Sequence, residues 1–221
     1  MDKFHTVTEA WFHYLGKVLN GRESYEQYIQ RGSFSGEAVR LQLPFTACTI
    51  EKPLLDFVPT VPEGVAPPNS REYVEKYFCD YIVGAKPSED NEEYTYAERV
   101  KDQLQIVLDM LKDSPYTNQA TVEVGRPSDI TSSDPACLRT IDFKVVDEKV
   151  EITTFWRSND LWAGFPSNLG AMGMLQQMVA EYVGREPGDM HYASSGLHLY
   201  SYQINSALAK LGKTKPLEEV P

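Results

Sequence analysis

Residues 150–202 read VEITTFWRSNDLWAGFPSNLGAMGMLQQMVAEYVGREPGDMHYASSGLHLYSY, a pattern that predicts strand, polar turn, long helix and strand. Val150, Ile152 and Thr154 alternate with Glu151 and Thr153, the alternation breaks at Arg157, and Pro166 precedes a helix of about four turns. Arg157, Ser158, Asp160 and Asn168 place a cation, a hydroxyl, a carboxylate and an amide within twelve positions. On a turn that follows a strand, such a set suits an anionic, hydrogen-bonding ligand better than it suits packing.

Immediately upstream, SSDPACLRTIDFKVV puts Cys137 just after Asp134-Pro135, at a turn that opens a strand. A cysteine at a turn is more available to a ligand than one in mid-strand. Residues 145–150, VVDEKV, read as the tip of a hairpin. Two strands of about nine residues each then bring Cys137 and Arg157 to the same end of the ribbon. A guanidinium beside a thiol favours the thiolate, so a lowered cysteine pKa is expected there.

The chain has 221 residues, enough for one domain (1–221) with a substantial core, and no low-complexity stretch divides it. Its formal charge of -11 disfavours electrostatic binding of nucleic acid or an anionic membrane, so any phosphate must be gripped locally. No signal-like segment or apolar run of membrane-spanning length occurs, and a cytoplasmic protein is expected. Cys48, Cys79 and Cys137 are odd in number and lack CxxC spacing, which argues against a disulfide framework and a zinc site.

Elsewhere the signals are mostly structural. Thr8 is placed to cap a helix that runs to Asn20, with Trp11, Leu15, Val18 and Leu19 on one face. Strands are expected around Val39 and Leu41 and from Phe45 to Ile50, followed by a proline-rich extended loop at 53–68. Ser70 caps REYVEKYFCDYIVG, where Tyr73, Tyr77 and Tyr81 recur every four residues. Lys101 to Lys112 form an amphipathic helix, and Gly170-x-x-Gly173 allows close packing of a helix. Read singly, Arg157 and Asp160 also fit a surface ion pair, and His198 a satisfied core histidine.

Taken together, RSNDLWAGFPSN and the later GLHLY resemble the signature of the thymidylate synthase family. Arg157, Ser158, Asp160, Gly164, Pro166, Asn168, His198 and Tyr200 all stand at family spacing, and the likeness spans roughly residues 94–204, in the manner of short archaeal members. The resemblance implies a three-layer α/β fold with a central mixed, mostly antiparallel sheet, paired as a homodimer. It implies Cys137 as nucleophile, Arg157 with Arg31 and Ser158 on a 5'-phosphate, Asn168 on the pyrimidine, and His198 with Tyr200 on the sugar hydroxyl. Asp160 would meet a reduced folate, Tyr94 or Tyr96 would face the site, with Tyr96 preferred, and a helix glutamate, Glu75 or Glu72, would organise proton transfer.

Two departures stand out. Leu138 follows the cysteine where the family usually has histidine, and Asn118 and Gln119 stand where most members carry arginines that cross the dimer interface, unless Arg126 or Arg139 replaces them. About twenty residues follow Tyr200, so closure over the folate is expected to differ from that of long synthases. The implied activity is methylation of dUMP to dTMP, with methylenetetrahydrofolate or an archaeal pterin analogue as one-carbon donor and no metal. The alternatives are 5-hydroxymethylation of dUMP, dCMP or CMP, and a catalytically silent nucleotide-binding protein.

Overall fold

The computed structural model of the chain describes residues 1–30, 39–84 and 94–212. Among the described residues, ten strands and five α-helices build a mixed α/β architecture with two sheets. The larger sheet has the order β1(Asp2–Phe4), β4(Thr46–Ile50), β9(Glu186–Ser194), β7(Lys149–Trp156), β6(Leu138–Val146), β5(Thr121–Glu123). It is mixed and mostly antiparallel, with parallel pairing only at β1/β4 and β7/β9. A second, four-stranded sheet, which the sequence pattern did not announce, runs β2(Tyr25–Tyr28), β3(Val39–Gln42), β10(Leu197–Tyr200), β8(Asn159–Asp160).

The β6/β7 hairpin turns at Asp147 and Glu148, both at positive φ, as the two-residue turn of a right-twisted ribbon requires. Val150, Ile152, Thr154 and Trp156 point into the core, with Ile141, Phe143 and Met190 beside them. The register shifts between Val150 and Ile152, and the buried Gln176 donates from Nε2 to the carbonyls of Val150 (2.8 Å) and Gly188 (3.0 Å) beside that bulge. An amide side chain thus satisfies acceptors that the irregular ladder leaves over.

Helix α4(Gly164–Val183) supplies Gln176 and lies against β7 and β9, flanked by α1(Val7–Leu19), α2(Arg71–Tyr77) and α3(Ala97–Asp113). Being covered on several sides, it is apolar over most of its circumference. It starts two residues before Pro166 and runs for 20 residues, longer than the predicted four turns. Proline is tolerated there because the first-turn amides have no helical acceptor. The cap of α1 is Thr6, not Thr8: Thr6 Oγ accepts from Glu9 N at 3.2 Å, while Glu9 reaches back to His5 N at 2.7 Å. Thr8 donates its hydroxyl to Asp56 O instead. Ser70 caps α2 as expected, and α2 continues into a wider π-helical turn at Phe78–Ile82. The short α5(Ile204–Lys210) follows β10. None of the described helices is long and apolar enough to cross a membrane.

Close approach to α4 depends on glycine. A Cβ at Gly170 would stand 2.7 Å from the Phe57 ring and 3.0 Å from Val74, and one at Gly173 would stand 3.0 Å from Leu54. Gly16, inside α1, has open space around it. Gly16→Ala is therefore expected to stabilise the fold by about 0.5–1 kcal/mol through helix propensity, whereas overpacking of ~1–3 kcal/mol makes Gly170→Ala a net loss. Urea unfolding of the two variants beside the parent checks the opposite signs.

Candidate active site

The hairpin register brings the two predicted reactive positions together. Leu138 pairs with Trp156, and one step beyond, Arg157 N donates to Cys137 O at 2.9 Å. The turn before Cys137 is then wrapped by the Arg157 side chain. Its Nε donates to Ala136 O at 3.2 Å, its Nη2 to Pro135 O, and the guanidinium stands 3.8 Å from the Asp134 carboxylate.

Cys137 and Arg157 line one cavity of about 480 Å³, together with Ser158, Asp160, His198 and Tyr200. Six of the predicted site residues therefore meet there. The smaller sheet explains how: Asp160 pairs with His198, His198 with Gln42, and Tyr200 with Arg40, so these side chains share one polar face. Asp160 is oriented by the start of α4, accepting from Trp162 N at 3.0 Å and Ala163 N at 3.3 Å. Ser158 is buried with its Oγ 3.4 Å from His198 Nδ1.

His198 has a defined tautomer. Nδ1 lies 2.9 Å from Gly196 O, a contact that only a protonated nitrogen can make favourably. Burial pushes the ring pKa down, so the neutral form dominates near pH 7 and Nε2 carries a lone pair. That atom is buried without a partner among the described residues. It is an acceptor awaiting a hydroxyl or an N–H.

The thiol departs from expectation. Burial pushes Cys137 above the ordinary cysteine value; Arg157 is the largest influence pulling it back, but it does not prevail. Removing the sulfur from water costs the thiolate more than the neighbouring guanidinium returns. The resting residue is a thiol.

Of the remaining predicted residues, Asn168, Tyr96, Glu72 and Glu75 lie outside the cavity lining. Asn168 stands beside it, its Oδ1 accepting from Tyr77 OH and its Nδ2 donating to the cavity residue Asn159, each at 2.9 Å. Tyr96 stands behind the cysteine, its hydroxyl accepting from Leu138 N at 3.3 Å, which makes it a support for the turn at Cys137. Glu72 and Glu75 are both exposed on α2, Glu75 stands 3.6 Å from Arg71, and neither reaches the cavity. Arg31 lies outside the described residues. Arg139 and Arg99 both bind the buried Asp129, at 2.7 and 2.8 Å, and Asp129 also accepts from Arg126 N. Arg139 is thus engaged within the chain. Arg40, which the sequence pattern did not single out, lines the cavity; the signal was its alternation with Gln42, whose partner strand lies far along the chain.

Arg157→Gln removes the strongest influence favouring the thiolate. The alkylation of Cys137 by iodoacetamide, followed by mass spectrometry across pH, is expected to shift to higher pH in that variant. Asp129 is held well below the usual carboxylate range, first by the Arg99 hydrogen bond. A depressed carboxylate stabilises the fold above its unfolded pKa, and this is lost as pH falls toward the folded value. Asp129→Asn should therefore cost about 3 kcal/mol at pH 7, with the gap from the parent closing below about pH 4. Urea titrations at pH 7 and pH 3.5 measure it.

Residues 73–221 match the family model described as thymidylate synthase. A Methanosarcina mazei protein described as "putative thymidylate synthase" is 32% identical over 204 residues, covering 89% of this chain and 87% of its own. One from Methanococcoides burtonii with the same description is 30% identical, over 90% and 89% of the two chains. One from Methanothermobacter thermautotrophicus is 29% identical over 91% and 93%. With most of its length matched, and with its cysteine, arginine and histidine gathered at one cavity, the chain belongs to the thymidylate synthase family.

Proposed function

We propose that this protein is a thymidylate synthase that methylates dUMP, acting as a single domain in a cytoplasmic homodimer. The observation that carries the reading is the shared cavity of Cys137, Arg157 and His198, with the peptide groups of residues 137 and 157 hydrogen-bonded to each other. The dimer is favoured by the larger sheet, whose face opposite the helices carries Thr153 and Phe155 exposed to solvent.

The chemistry follows from the residue types. Carbon 5 of uracil is a weak nucleophile. Cys137 gives up its proton, its sulfur adds to carbon 6, and the double-bond electrons move toward carbon 5 and the carbonyl at carbon 4. Arg157 stabilises the departing and returning thiolate, and with Ser158 it holds the 5'-phosphate. The bare Nε2 of His198 accepts the 3'-hydroxyl, with Tyr200 alongside. Asn168, fixed by Tyr77 and Asn159, keeps one donor hydrogen and one acceptor lone pair for the ring. A reduced folate or archaeal pterin, met by Asp160, supplies the one-carbon unit and the hydride. With the one-carbon unit bonded to carbon 5, loss of the carbon-5 proton expels the donor's nitrogen and leaves a methylene group; hydride from the donor turns it into methyl while the sulfur leaves carbon 6 and the ring double bond is restored.

The test offers dUMP, dCMP and CMP tritiated at carbon 5, with and without methylenetetrahydrofolate, and weighs the product. Tritium release from dUMP with a methyl product is the expected result. A hydroxymethyl product reassigns the chain to hydroxymethylation, and no release from any nucleotide leaves a silent binding protein. Cys137→Ser is expected to cut release by on the order of a thousandfold or more while dUMP binding survives.

A further inference from the structure

The cavity has a second guanidinium whose role the sequence motif does not assign. Arg40 sits on β3, opposite Tyr200 on β10 and Gln27 on β2. It shares the polar face of the smaller sheet with His198 and Asp160, and its side chain enters the same cavity as Cys137 and Arg157. Its one hydrogen bond among the described residues runs from Nη2 to Gln27 Oε1 at 3.2 Å. Nε is fully buried and has no partner among the described residues, and no described carboxylate forms an ion pair with Arg40.

The other described arginines near the cavity are already committed. Arg99 and Arg139 share Asp129. Arg157 donates Nε and Nη2 to the carbonyls of residues 136 and 135 and also faces Asp134. A phosphate monoester carries close to two negative charges and three oxygens, more than the remaining donors of Arg157 satisfy. A buried guanidinium nitrogen without a protein acceptor is costly, and an oxyanion relieves it. Arg40 lines the same cavity as Cys137, His198 and Tyr200.

We propose that Arg40 is a phosphate-anchoring residue, gripping the 5'-monophosphate of the nucleotide together with Arg157 and compensating for the absent arginine pair at Asn118 and Gln119. This assignment rests on the nucleotide-binding reading above. It makes the anion grip depend on a strand of this chain's own small sheet, and it ties phosphate recognition to the sheet whose neighbouring strand β10 presents His198.

The experiment is isothermal titration of the full chain and of Arg40→Gln and Arg40→Lys with dUMP, deoxyuridine and inorganic phosphate. The parent should prefer dUMP to deoxyuridine. Arg40→Gln should lose dUMP affinity by about 10–100-fold, with deoxyuridine affinity unchanged within about twofold and weaker competition by phosphate. Arg40→Lys should fall between, because it keeps the charge and loses the planar fork. An Arg40→Gln protein that keeps the parent's preference for dUMP overturns the assignment alone. An equal loss for dUMP and deoxyuridine also overturns it, by reducing Arg40 to a packing role. A parent that binds none of the three overturns the nucleotide reading and this assignment together. Should Arg40→Gln fail to fold, Arg40→Lys decides: an undiminished preference for dUMP over deoxyuridine sinks the proposal.

Discussion

The amide of Arg157 donates to the carbonyl of Cys137 across 2.9 Å, and this single continuation of the hairpin ladder sets the geometry of the site. Backbone hydrogen bonding in an antiparallel ribbon has no intermediate registers. A slip by one residue would send either the cysteine or the arginine to the opposite face. The left-handed turn at Asp147 and Glu148 fixes the register at one end of the ribbon, and the wrap of Arg157 around the carbonyls of residues 135 and 136 secures it at the other. Cys137 is thereby placed without needing a strong contact of its own.

The neighbouring cluster at Asp129 has a different task. Two guanidiniums would repel one another beside the cavity, and each would be expensive to bury alone. The shared carboxylate neutralises part of that charge and anchors the 3-10 turn at Pro127–Thr131, which leads into the segment before Cys137. The pair Arg99 and Arg139 serves the scaffold, which leaves Arg157 and Arg40 as the cations of the cavity among the described residues.

How much of this was legible in the sequence depends on the range of the interactions. The β6/β7 hairpin, the Ser70 cap and the approach of Cys137 to Arg157 rest on period-two alternation and local turn chemistry, and all three were readable. The face of Arg40 was not, because β3 pairs with β10 across more than 150 positions and nothing local to β3 names its partner. The rotation of α2 was equally hidden. Its tyrosine periodicity was plain, but burial of Val74 and the reach of Tyr77 to Asn168 turn Glu72 and Glu75 outward. The resemblance implied a helix glutamate at the site; the side chain of this helix that reaches Asn168 is Tyr77. The lowered thiol pKa failed for a related reason: proximity to a cation is visible in spacing, whereas desolvation depends on everything packed around the sulfur.

A thiol kept protonated is not at odds with covalent chemistry. Each unit by which burial raises a thiol's pKa costs about tenfold in thiolate population near neutral pH, but the remaining thiolate is about threefold more nucleophilic, since reactivity rises with roughly the 0.4–0.5 power of basicity. Part of the loss is therefore returned in the addition step. The opposite holds for expulsion, where a more basic sulfur leaves more slowly. An adjacent fixed charge resolves the conflict, because it stabilises the sulfur only while the sulfur is anionic, at the beginning and the end of the cycle. Arg157 is held to the cysteine's own turn by three backbone carbonyl or amide contacts, so its guanidinium stays beside that turn without reorganisation, as the proposed addition and expulsion require.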